Sequence, residues 1–364
     1  MRVAYVHLKG RLSRIEAARA GDAPTEFLFG ALELERAGHD IVQFEVDPSR
    51  RSGRLPAQID RQAGRGNLPP HLSATVLGQT HEFLGQLGAF DVVVGSSTAT
   101  AFALATWRRL GRLRAPLVGI VAGLFAEPWR RSRRVTTLQF LRRMHSALYG
   151  PGELPELLAL GGLERRTHVL GFGVDTAFWT PAAGSGTGEV LAIGNDGRRD
   201  WATLVEAAAA IPAPVRILTR HPLPATLPGN VTWQEADWHD QILSDAAVRE
   251  AYRRASVVVV PLVDSVQPAG QSVTLQAMAC GRPVVLTRTR GLWDSEGLRD
   301  GVNVVHVPAR DPAALAGAVG GLLSSPERAE AIGVAARENV LRDERIEVFA
   351  ERLREICERA IAEP

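Results

Sequence analysis

Residues 267–285 read Gln267-Pro-Ala-Gly-Gln-Ser-Val-Thr-Leu-Gln-Ala-Met-Ala-Cys-Gly-Arg-Pro-Val-Val285 and follow the apolar run 256–262. The pattern predicts a strand, a tight loop, a helix, a turn and a second strand. Gly270 lets the backbone approach a ligand closely, and a helix that begins near Gln271 or Ser272 directs unpaired N–H groups and a partial positive charge at it. The stretch therefore predicts an anion-binding site on a parallel sheet, with an ordinary βαβ crossover as the alternative.

Short apolar segments alternate with amphipathic segments along the whole chain. This alternation predicts parallel strands covered by helices on both faces. In the first half, the predicted strands are 2–6, 40–46, 91–95, 116–121, 145–150 and 168–171. In the second half, they are 189–193, 215–219, 231–233, 256–262, 283–286 and 303–307. The predicted fold class is therefore α/β, with two Rossmann-like domains that face each other across an interdomain cleft.

The length and one linker-like segment predict the domain boundaries. A chain of 364 residues exceeds what one hydrophobic core usually organises. The small-residue stretch 181–188 lacks apolar periodicity and is typical of a flexible connection. We predict an N-terminal domain at 1–175, a C-terminal domain at 185–343, and a final helix at 344–364 that packs back toward the N-terminal domain. Ligands of open α/β sheets bind outside the carboxyl ends of the strands, so two facing sheets predict two substrates.

The composition is that of a soluble globular protein, with 45% apolar and 23% charged residues. No run approaches the roughly 20 apolar residues that span a bilayer, and the N-terminus lacks a signal-peptide pattern, so we expect a cytoplasmic protein. Cys280 and Cys357 are far apart and predict buried thiols rather than a disulfide or a thiolate metal site. Lys9 is the only lysine, which argues against a pyridoxal-phosphate Schiff base and leaves cationic chemistry to arginine.

Two further segments carry family motifs. One is Gly171-Phe-Gly-Val-Asp-Thr-Ala-Phe-Trp-Thr-Pro181, and the other is Asp300-Gly-Val-Asn-Val304, followed by Pro308 and Asp311-Pro-Ala-Ala-Leu315. Together with 270–281, in this order and spacing, they resemble a GT-B-fold glycosyltransferase of the retaining, family-4 type. The resemblance implies a nucleoside-diphosphate sugar donor in the C-terminal domain, an acceptor in the N-terminal domain, and retention at the anomeric carbon. It implies no metal ion and no cofactor besides the donor substrate.

The resemblance also implies cations that neutralise the leaving diphosphate. Members of the family use an arginine and a lysine after the first strand of the second domain, where this chain reads Gly194-Asn-Asp-Gly-Arg-Arg-Asp-Trp201. Arg199 matches the lysine, Asn195 stands at the arginine position, and Arg198 is expected to substitute. Arginine binds phosphate in a planar, bidentate way, so the exchange is chemically reasonable. The alternative is two solvated arginines beside a helix start.

The predicted donor-binding residues are Gly194, Gln267, Gly270, Gln271, Ser272 and Gln276. The Ser272 hydroxyl and the backbone N–H groups of the two preceding residues would complete a diphosphate cradle. The family carries two glutamates eight positions apart, but here those positions are Pro268 and Gln276. The Gln276 amide can bridge a ribose diol, more weakly than a carboxylate. Because Pro268 lacks a polar side chain, sugar recognition is expected to pass to Gln267, Asp264, Gln271 or the backbone.

Two side chains of the N-terminal domain are candidates for catalysis. His7 ends the first strand, where inverting relatives of the same fold use a histidine as general base; a hydrogen-bonded structural histidine is the alternative. Glu127 follows the predicted fourth strand, and either approaches the cleft or is a surface carboxylate paired with Arg130 or Arg131. In a retaining enzyme, the departing phosphate oxygen could itself take the acceptor proton.

The region 107–143 is strongly basic and contains one acidic residue, Glu127. Its arginines are Arg108, Arg109, Arg112, Arg114, Arg130, Arg131, Arg133, Arg134, Arg142 and Arg143. Such a region predicts contact with a membrane surface, a lipid-phosphate acceptor or an acidic polymer, and solvated helix faces are the alternative. Nucleic acid is not expected, because Trp107 and Trp129 do not form an aromatic stacking ladder. The predicted location is cytoplasmic, with peripheral contact at the inner membrane face.

The sequence thus predicts a metal-independent, retaining glycosyltransferase. Its acceptor is a small molecule, a lipid-linked sugar or a polysaccharide. One alternative is a catalytically degenerate GT-B protein that acts as a binding or regulatory subunit, which the loss of both family glutamates motivates. A second alternative is a sugar-nucleotide 2-epimerase, although the acid and base carboxylates that this reaction needs are not evident in the sequence.

Overall fold

The computed structural model describes residues 1–50, 58–125, 129–182, 186–237 and 242–364. Within these ranges, the chain divides into two compact units. The first unit comprises Met1–Glu16, Phe27–Gly171 and Glu347–Pro364. The second comprises Ala17–Glu26 and Phe172–Ile346. The short segment Ala17–Glu26 therefore belongs, by its contacts, to the second unit.

The first unit is built on a six-stranded sheet. Its strands are β1 (Arg2–Leu8), β2 (Asp40–Val46), β3 (Val92–Gly95), β4 (Leu117–Val121), β5 (His145–Leu148) and β6 (Thr167–Val169). They pair in parallel in the order β2-β1-β3-β4-β5-β6. Both β3 and β4 are buried at every position, which is why their sequences are continuous apolar runs rather than alternating ones.

Helices connect these strands and cover the sheet. Those of the N-terminal half are α1 (Ile15–Ala20), α2 (Ala31–Arg36), α3 (Gln58–Gly64), α4 (Ala74–Leu87), α5 (Thr98–Arg109), α6 (Arg131–Leu141) and α7 (Leu154–Leu158). Ser97 caps α5 and forms a capping box with Thr100. Two strand glycines let α5 lie close to the sheet, since a Cβ on Gly95 or Gly119 would come within 2.8 Å or 2.7 Å of Ala101 atoms.

The second unit contains another six-stranded sheet. Its strands are β7 (Glu189–Ile193), β8 (Val215–Leu218), β9 (Val231–Gln234), β10 (Ala255–Val260), β11 (Val284–Thr287) and β12 (Val305–Val307). They pair in parallel in the order β12-β11-β10-β7-β8-β9. Two parallel, helix-covered sheets confirm the predicted α/β class.

The remaining helices are α8 (Trp201–Ala208), α9 (Asp245–Arg254), α10 (Gln271–Ala279), α11 (Pro312–Leu323), α12 (Pro326–Asp343) and α13 (Ile346–Ala362). One apolar cluster of the second unit joins β-strand side chains to Tyr252 of α9, Leu275 of α10 and Val340 of α12. A separate cluster joins the sheet to Leu204 of α8 and Val319 of α11. The second sheet is therefore buried on both faces, as parallel sheets require.

Most of α13 belongs to the first unit. A Cβ on Gly30 would lie 3.0 Å from Ala350 Cβ, so the glycine permits a close approach of this helix. Gly30 has a φ of 75°, a left-handed conformation that favours glycine. Among the described residues, no helix is long and apolar enough to cross a membrane.

Candidate active site

The two loops at the carboxyl ends of β7 and β10 form the candidate site in the second unit. They are joined by backbone hydrogen bonds: Asp200 N–H donates to Pro261 O at 3.0 Å, and Val263 N–H donates to Arg198 O at 3.0 Å. Because β7 and β10 are neighbours in the parallel sheet, their carboxyl ends lie at the same edge. This pairing fixes the loop with both predicted arginines against the loop that leads into α10.

Arg199 is held in a slot made by two glycines. A Cβ on Gly194 would overlap the Arg199 guanidinium, and a Cβ on Gly270 would lie 3.1 Å from its Nη1. The side chain is only 2% exposed, so the prediction of a solvated arginine is wrong for this residue. The primary role of Gly194 and Gly270 is therefore to leave room for the Arg199 guanidinium.

The Arg199 guanidinium has spare hydrogen-bonding capacity. Its Nη1 forms an ion pair with Asp196 Oδ2 at 3.0 Å, but neither Nε nor Nη1 has a hydrogen-bond partner among the described residues. A buried donor without a partner costs folding free energy, and sites of this kind are often completed by a ligand. The anion best suited to a guanidinium is a carboxylate or a phosphate.

Arg198 lies beside the predicted sugar-recognition loop. Its Nε donates to Gln267 Oε1 at 3.3 Å, and its backbone N–H donates to Asp196 Oδ1 at 3.0 Å. The side chain is half-buried, so it is less enclosed than Arg199. The structure thus brings Arg198, Arg199 and Gln267 together, and adds Asp196, which the sequence analysis did not single out.

The N-terminus of α10 supplies the remaining donors. Gly270 has a left-handed φ of 74° and is followed by Gln271, the first residue of the helix, as the sequence predicts. Gly270, the N-cap residue, forms no side-chain cap, and the first backbone N–H groups of a helix favour an anion. Gln271 is buried and Ser272 is half-buried at the same end. The start of α10 and the two arginines thus bring backbone and side-chain donors together at one edge of the sheet.

Asn195 stands at the family's arginine position and has a structural task. Its Nδ2 donates to Ala236 O at 2.7 Å, and its Oδ1 accepts from Arg220 N–H at 2.9 Å. The Thr219 hydroxyl donates to Gly194 O at 2.7 Å in the same loop. These bonds tie the ends of β7, β8 and β9 together, and leave the cationic role to the two arginines.

Gln276 is part of a buried polar network. Its Nε2 donates to Glu26 Oε1 at 3.0 Å, and its Oε1 accepts from Tyr252 O–H at 3.2 Å. The residue is 4% exposed. The sequence predicts that the Gln276 amide bridges a ribose diol. Because its Nε2 and its Oε1 both form hydrogen bonds within the protein, a ribose contact would have to replace one of them.

Glu26 was missed by the sequence analysis. Besides Gln276, its carboxylate accepts from Trp179 Nε1 at 2.7 Å and from Asp175 N–H at 3.1 Å. Burial raises the pKa of Glu26 to about 7, and the bonds from Gln276 and Trp179 oppose that shift. Glu26 therefore places a carboxyl group beside Gln276, where the family has a glutamate. Glu26 comes from a segment 250 residues away in the sequence.

His7 lies within the first unit and is fully buried. Its Nδ1 is 2.8 Å from Ser96 Oγ and its Nε2 is 3.0 Å from Gln43 Oε1. Burial, with a smaller contribution from Arg11, lowers the pKa of His7 to about 3. These contacts fit the structural alternative, because a base with so low a pKa has little tendency to take a proton from a hydroxyl. Glu127, the other catalytic candidate, lies outside the described residues.

The basic region divides into structural and exposed arginines. Arg133 donates to Ala63 O at 2.8 Å and Leu68 O at 3.1 Å, and Arg108 donates to Ala115 O. Eight arginines of this region are exposed: Arg109, Arg112 and Arg114 at the end of α5 and after it, and Arg130, Arg131, Arg134, Arg142 and Arg143 on and around α6. Val135, 53% exposed, lies among them on α6. Within the described ranges, no group of three or more His, Cys, Asp or Glu side chains is placed to hold a metal ion.

Comparison with known proteins finds a family match over part of this site. Residues 198–325 match the family of glycosyl transferases group 1. An alpha-maltose-1-phosphate synthase of Mycobacterium tuberculosis is 31% identical over 207 residues, which are 48% of this chain and 52% of that protein. The chain thus spans about half the length of this curated relative.

Solved structures match nearly the whole fold. Sucrose-phosphate synthase from Thermosynechococcus elongatus aligns over 100% of both chains with a TM-score of 0.71 and 17% identity. Anabaena Alr3699/HepE, in complex with UDP and glucose, aligns over 98% of both chains with a TM-score of 0.66 and 15% identity.

The fold is that of GT-B glycosyltransferase structures. Residues 198–325, which lie in the second unit, are similar to the glycosyl transferases group 1 family. The resemblance of the sequence motifs to group 1 glycosyltransferases is confirmed over these residues.

Proposed function

We propose that this protein is an enzyme that transfers a sugar from a nucleoside-diphosphate sugar to an acceptor hydroxyl, with retention of the anomeric configuration. The observation that carries the proposal is the enclosed Arg199 guanidinium, whose Nε has no hydrogen-bond partner among the described residues, beside the N-terminus of α10. Both features favour a bound dianionic or trianionic group. The family match at residues 198–325 supports the same reading.

The proposed donor is a uridine-diphosphate sugar. Support comes from HepE, whose structure holds UDP and glucose and shares the fold of this chain. The diphosphate would lie against Arg199, Arg198 and the first N–H groups of α10. Gln267, hydrogen-bonded to Arg198, is placed in the loop where the sugar would be recognised.

Catalysis in this proposal rests on stabilising the leaving group. Negative charge grows on the diphosphate as the anomeric bond breaks, and preorganised donors in a site of low dielectric stabilise that charge. Two arginines and a helix end supply this stabilisation without a metal ion. A departing phosphate oxygen would take the acceptor proton, so His7 is not needed as a base.

The acceptor, in this proposal, binds the first unit and is a small molecule, a lipid-linked sugar or a polysaccharide. The five exposed arginines around α6 support peripheral contact with an anionic membrane surface at its cytoplasmic face. Such a contact would bring a lipid-linked acceptor to the enzyme.

A second candidate is a donor-binding protein without turnover. The specific observation in its favour is the use of Gln276 in the Glu26 network, together with the absence of a polar side chain at Pro268. Such a protein would bind the nucleotide through the same arginines and release no product.

Incubation of the purified chain with UDP-glucose and an acceptor panel, followed by ¹H NMR, separates these functions. The proposed enzyme forms UDP and a product whose anomeric coupling matches that of the α-linked donor. Inverted coupling would contradict retention. UDP-glucose binding with no UDP release across the panel would favour the non-catalytic protein.

A further inference from the structure

A second cavity lies in the second unit, away from the proposed donor site. Its volume is about 740 Å³, within the range of small-molecule sites. It is lined by Gly188 before β7, Ser256 at the start of β10 and Pro283 before β11, so it lies at the amino ends of the strands. The helix α10 ends there at Cys280, while its other end, about 13 Å away, faces the proposed diphosphate.

One wall of this cavity is apolar and open to solvent. It is formed by α11 and α12, which contribute Leu322, Leu323, Val334 and Leu341. Val334 is 54% exposed and Leu341 is 38% exposed, and their spacing of seven residues places them on one face of α12. Exposed apolar side chains that border a cavity commonly mark a ligand-binding surface.

Another part of the lining is cationic. Arg282 lines the cavity, is 7% exposed, and has a buried Nε without a hydrogen-bond partner among the described residues. Its Nη1 makes only a long bond of 3.4 Å to Ala255 O. Removal from water lowers the pKa of Arg282. An under-used, desolvated guanidinium is most readily completed by an anion.

Further arginines strengthen the positive charge at this end. Arg337 lines the cavity, half-buried, with its Nη1 bonded to Ala279 O. The nearby Cys280 thiol interacts electrostatically with four arginines: Arg253, Arg282, Arg337 and Arg249. The acidic residues of the lining, Glu330 and Glu338, are exposed on α12. The lining thus combines arginines, exposed carboxylates and apolar side chains, and Arg337, Glu330 and Glu338 share α12 with Val334 and Leu341.

We propose that this cavity binds an amphipathic monocarboxylate, with its carboxylate against Arg282 and Arg337 and its apolar chain along α11 and α12. A carboxylate pairs bidentately with a guanidinium, and the apolar wall gains from covering Val334 and Leu341. A neutral molecule of the same length would leave the two arginine charges without a counter-charge, and a short acid would leave the apolar wall exposed to water. Recognition therefore requires both parts of the ligand.

The test uses octanoate as the probe, with octanol and acetate as matched partial ligands. Calorimetric titration of the full chain should show that octanoate binds at least about tenfold more tightly than either. Equal binding of octanoate and octanol would overturn the assignment of the carboxylate to the arginines, and no octanoate binding would overturn the proposal.

Two variants locate the binding site. Val334→Asp adds charge to the exposed wall and Arg337→Gln removes a cation; each should weaken octanoate binding by about tenfold or more. Val302→Asp is the matched control, because Val302 is 43% exposed and does not line the cavity. Unchanged affinity in a folded Val334→Asp protein, or an equal loss in Val302→Asp, would contradict the location. Circular dichroism confirms folding of each variant.

Discussion

Asp196 places a carboxylate between the two arginines that we assign to the diphosphate. It contacts Arg199 through Oδ2 and the Arg198 backbone through Oδ1, and its side chain is 37% exposed. A bound diphosphate would have to compete with this charge for the same guanidinium. Asp196 therefore offsets the charge of Arg199 and opposes the binding of an anion.

We expect Asp196→Asn to raise the affinity for UDP about two- to fivefold, since a partly exposed ion pair contributes up to about 1 kcal/mol. Isothermal titration calorimetry measures the change. Asp343→Asn is the control, because Asp343 pairs with Arg342 in another part of the unit and is similarly exposed. A weaker UDP affinity in Asp196→Asn would show that the carboxylate positions the arginines rather than competing for them.

Glu26 links stability to pH. Its pKa rises from an ordinary 4.5 to about 7 on folding, so the folded protein binds its proton more tightly than the unfolded chain does. Between these two values, the contribution of Glu26 to the free energy of unfolding falls as pH rises, by about 3 kcal/mol in total. Asp175 is the charged neighbour that adds to the shift.

We expect Glu26→Gln to remove this pH dependence. Urea unfolding at pH 5, 6, 7 and 8 gives the free energy of unfolding of wild type and variant. In the difference between the two, the contributions of the other titrating groups cancel. At pH 5 the variant should be less stable, because its amide N–H₂ faces the Asp175 N–H donor. The deficit should shrink as pH rises through 7. A difference that does not change with pH would contradict the raised pKa.

Residues of the site differ in how far the sequence predicts them. Arg198 and Arg199 follow from local motifs, because strand, loop and helix order fix where they lie. Glu26 does not, since its partner Gln276 is 250 positions away and no local pattern pairs them. The loss of exposure at Arg199 also depends on Gly270, which the fold brings close from another loop.

At the scale of elements, the turn into α10 decides the geometry of the site. Gly270 has a left-handed backbone, and a Cβ there would lie 2.7 Å from Val260 Cγ1 as well as close to Arg199. The glycine is thus required for two separate reasons, conformation and space.

Gly270→Ala should therefore cost more than Gly301→Ala. Gly301 has a similar φ of 69° but nothing within 4 Å of an added Cβ, so its variant measures the conformational cost alone, about 1 kcal/mol. We expect urea unfolding to show a cost at least about 1 kcal/mol larger for Gly270→Ala, from the steric overlap. UDP affinity should fall only in that variant. Equal costs for the two would contradict the close packing at Gly270.

Element types and order were predictable, and some boundaries were not. Alternating apolar and amphipathic segments predict every strand of the second sheet, and α10 begins where the Gly270 loop predicts. The predicted strand 303–307 is shorter, Val305–Val307, because Asn303 bonds to Gly297 O and the Arg299 N–H and forms part of a turn. Side-chain bonds of this kind are tertiary and leave no periodic signal.

At the scale of the whole molecule, charge distribution matters more than net charge. The formal net charge is only +2, which alone gives little attraction to an anionic surface. The exposed arginines around α6 concentrate positive charge in one region of the first unit.

Co-sedimentation with phosphatidylglycerol vesicles tests this patch. The wild-type chain should bind, and bind less as salt rises, because surface charges are screened. Replacement of Arg131, Arg134 and Arg142 by Gln should remove most of the binding, at about 1 kcal/mol for each charge. Replacement by Gln of Arg299 and Arg328, which are exposed in the second unit, should leave vesicle binding unchanged. Equal loss in both sets would contradict a localised patch.

The most direct measurement for the account as a whole is calorimetric titration with UDP, without added metal, of wild type, Arg199→Met and the exposed control Arg328→Met. We predict that wild type and Arg328→Met bind UDP alike and that Arg199→Met binds at least about tenfold more weakly, because the enclosed guanidinium loses its phosphate contact. A folded Arg199→Met protein with wild-type affinity would contradict the assigned cradle. A folded wild-type chain that binds neither UDP nor GDP, ADP or dTDP would contradict the proposed function.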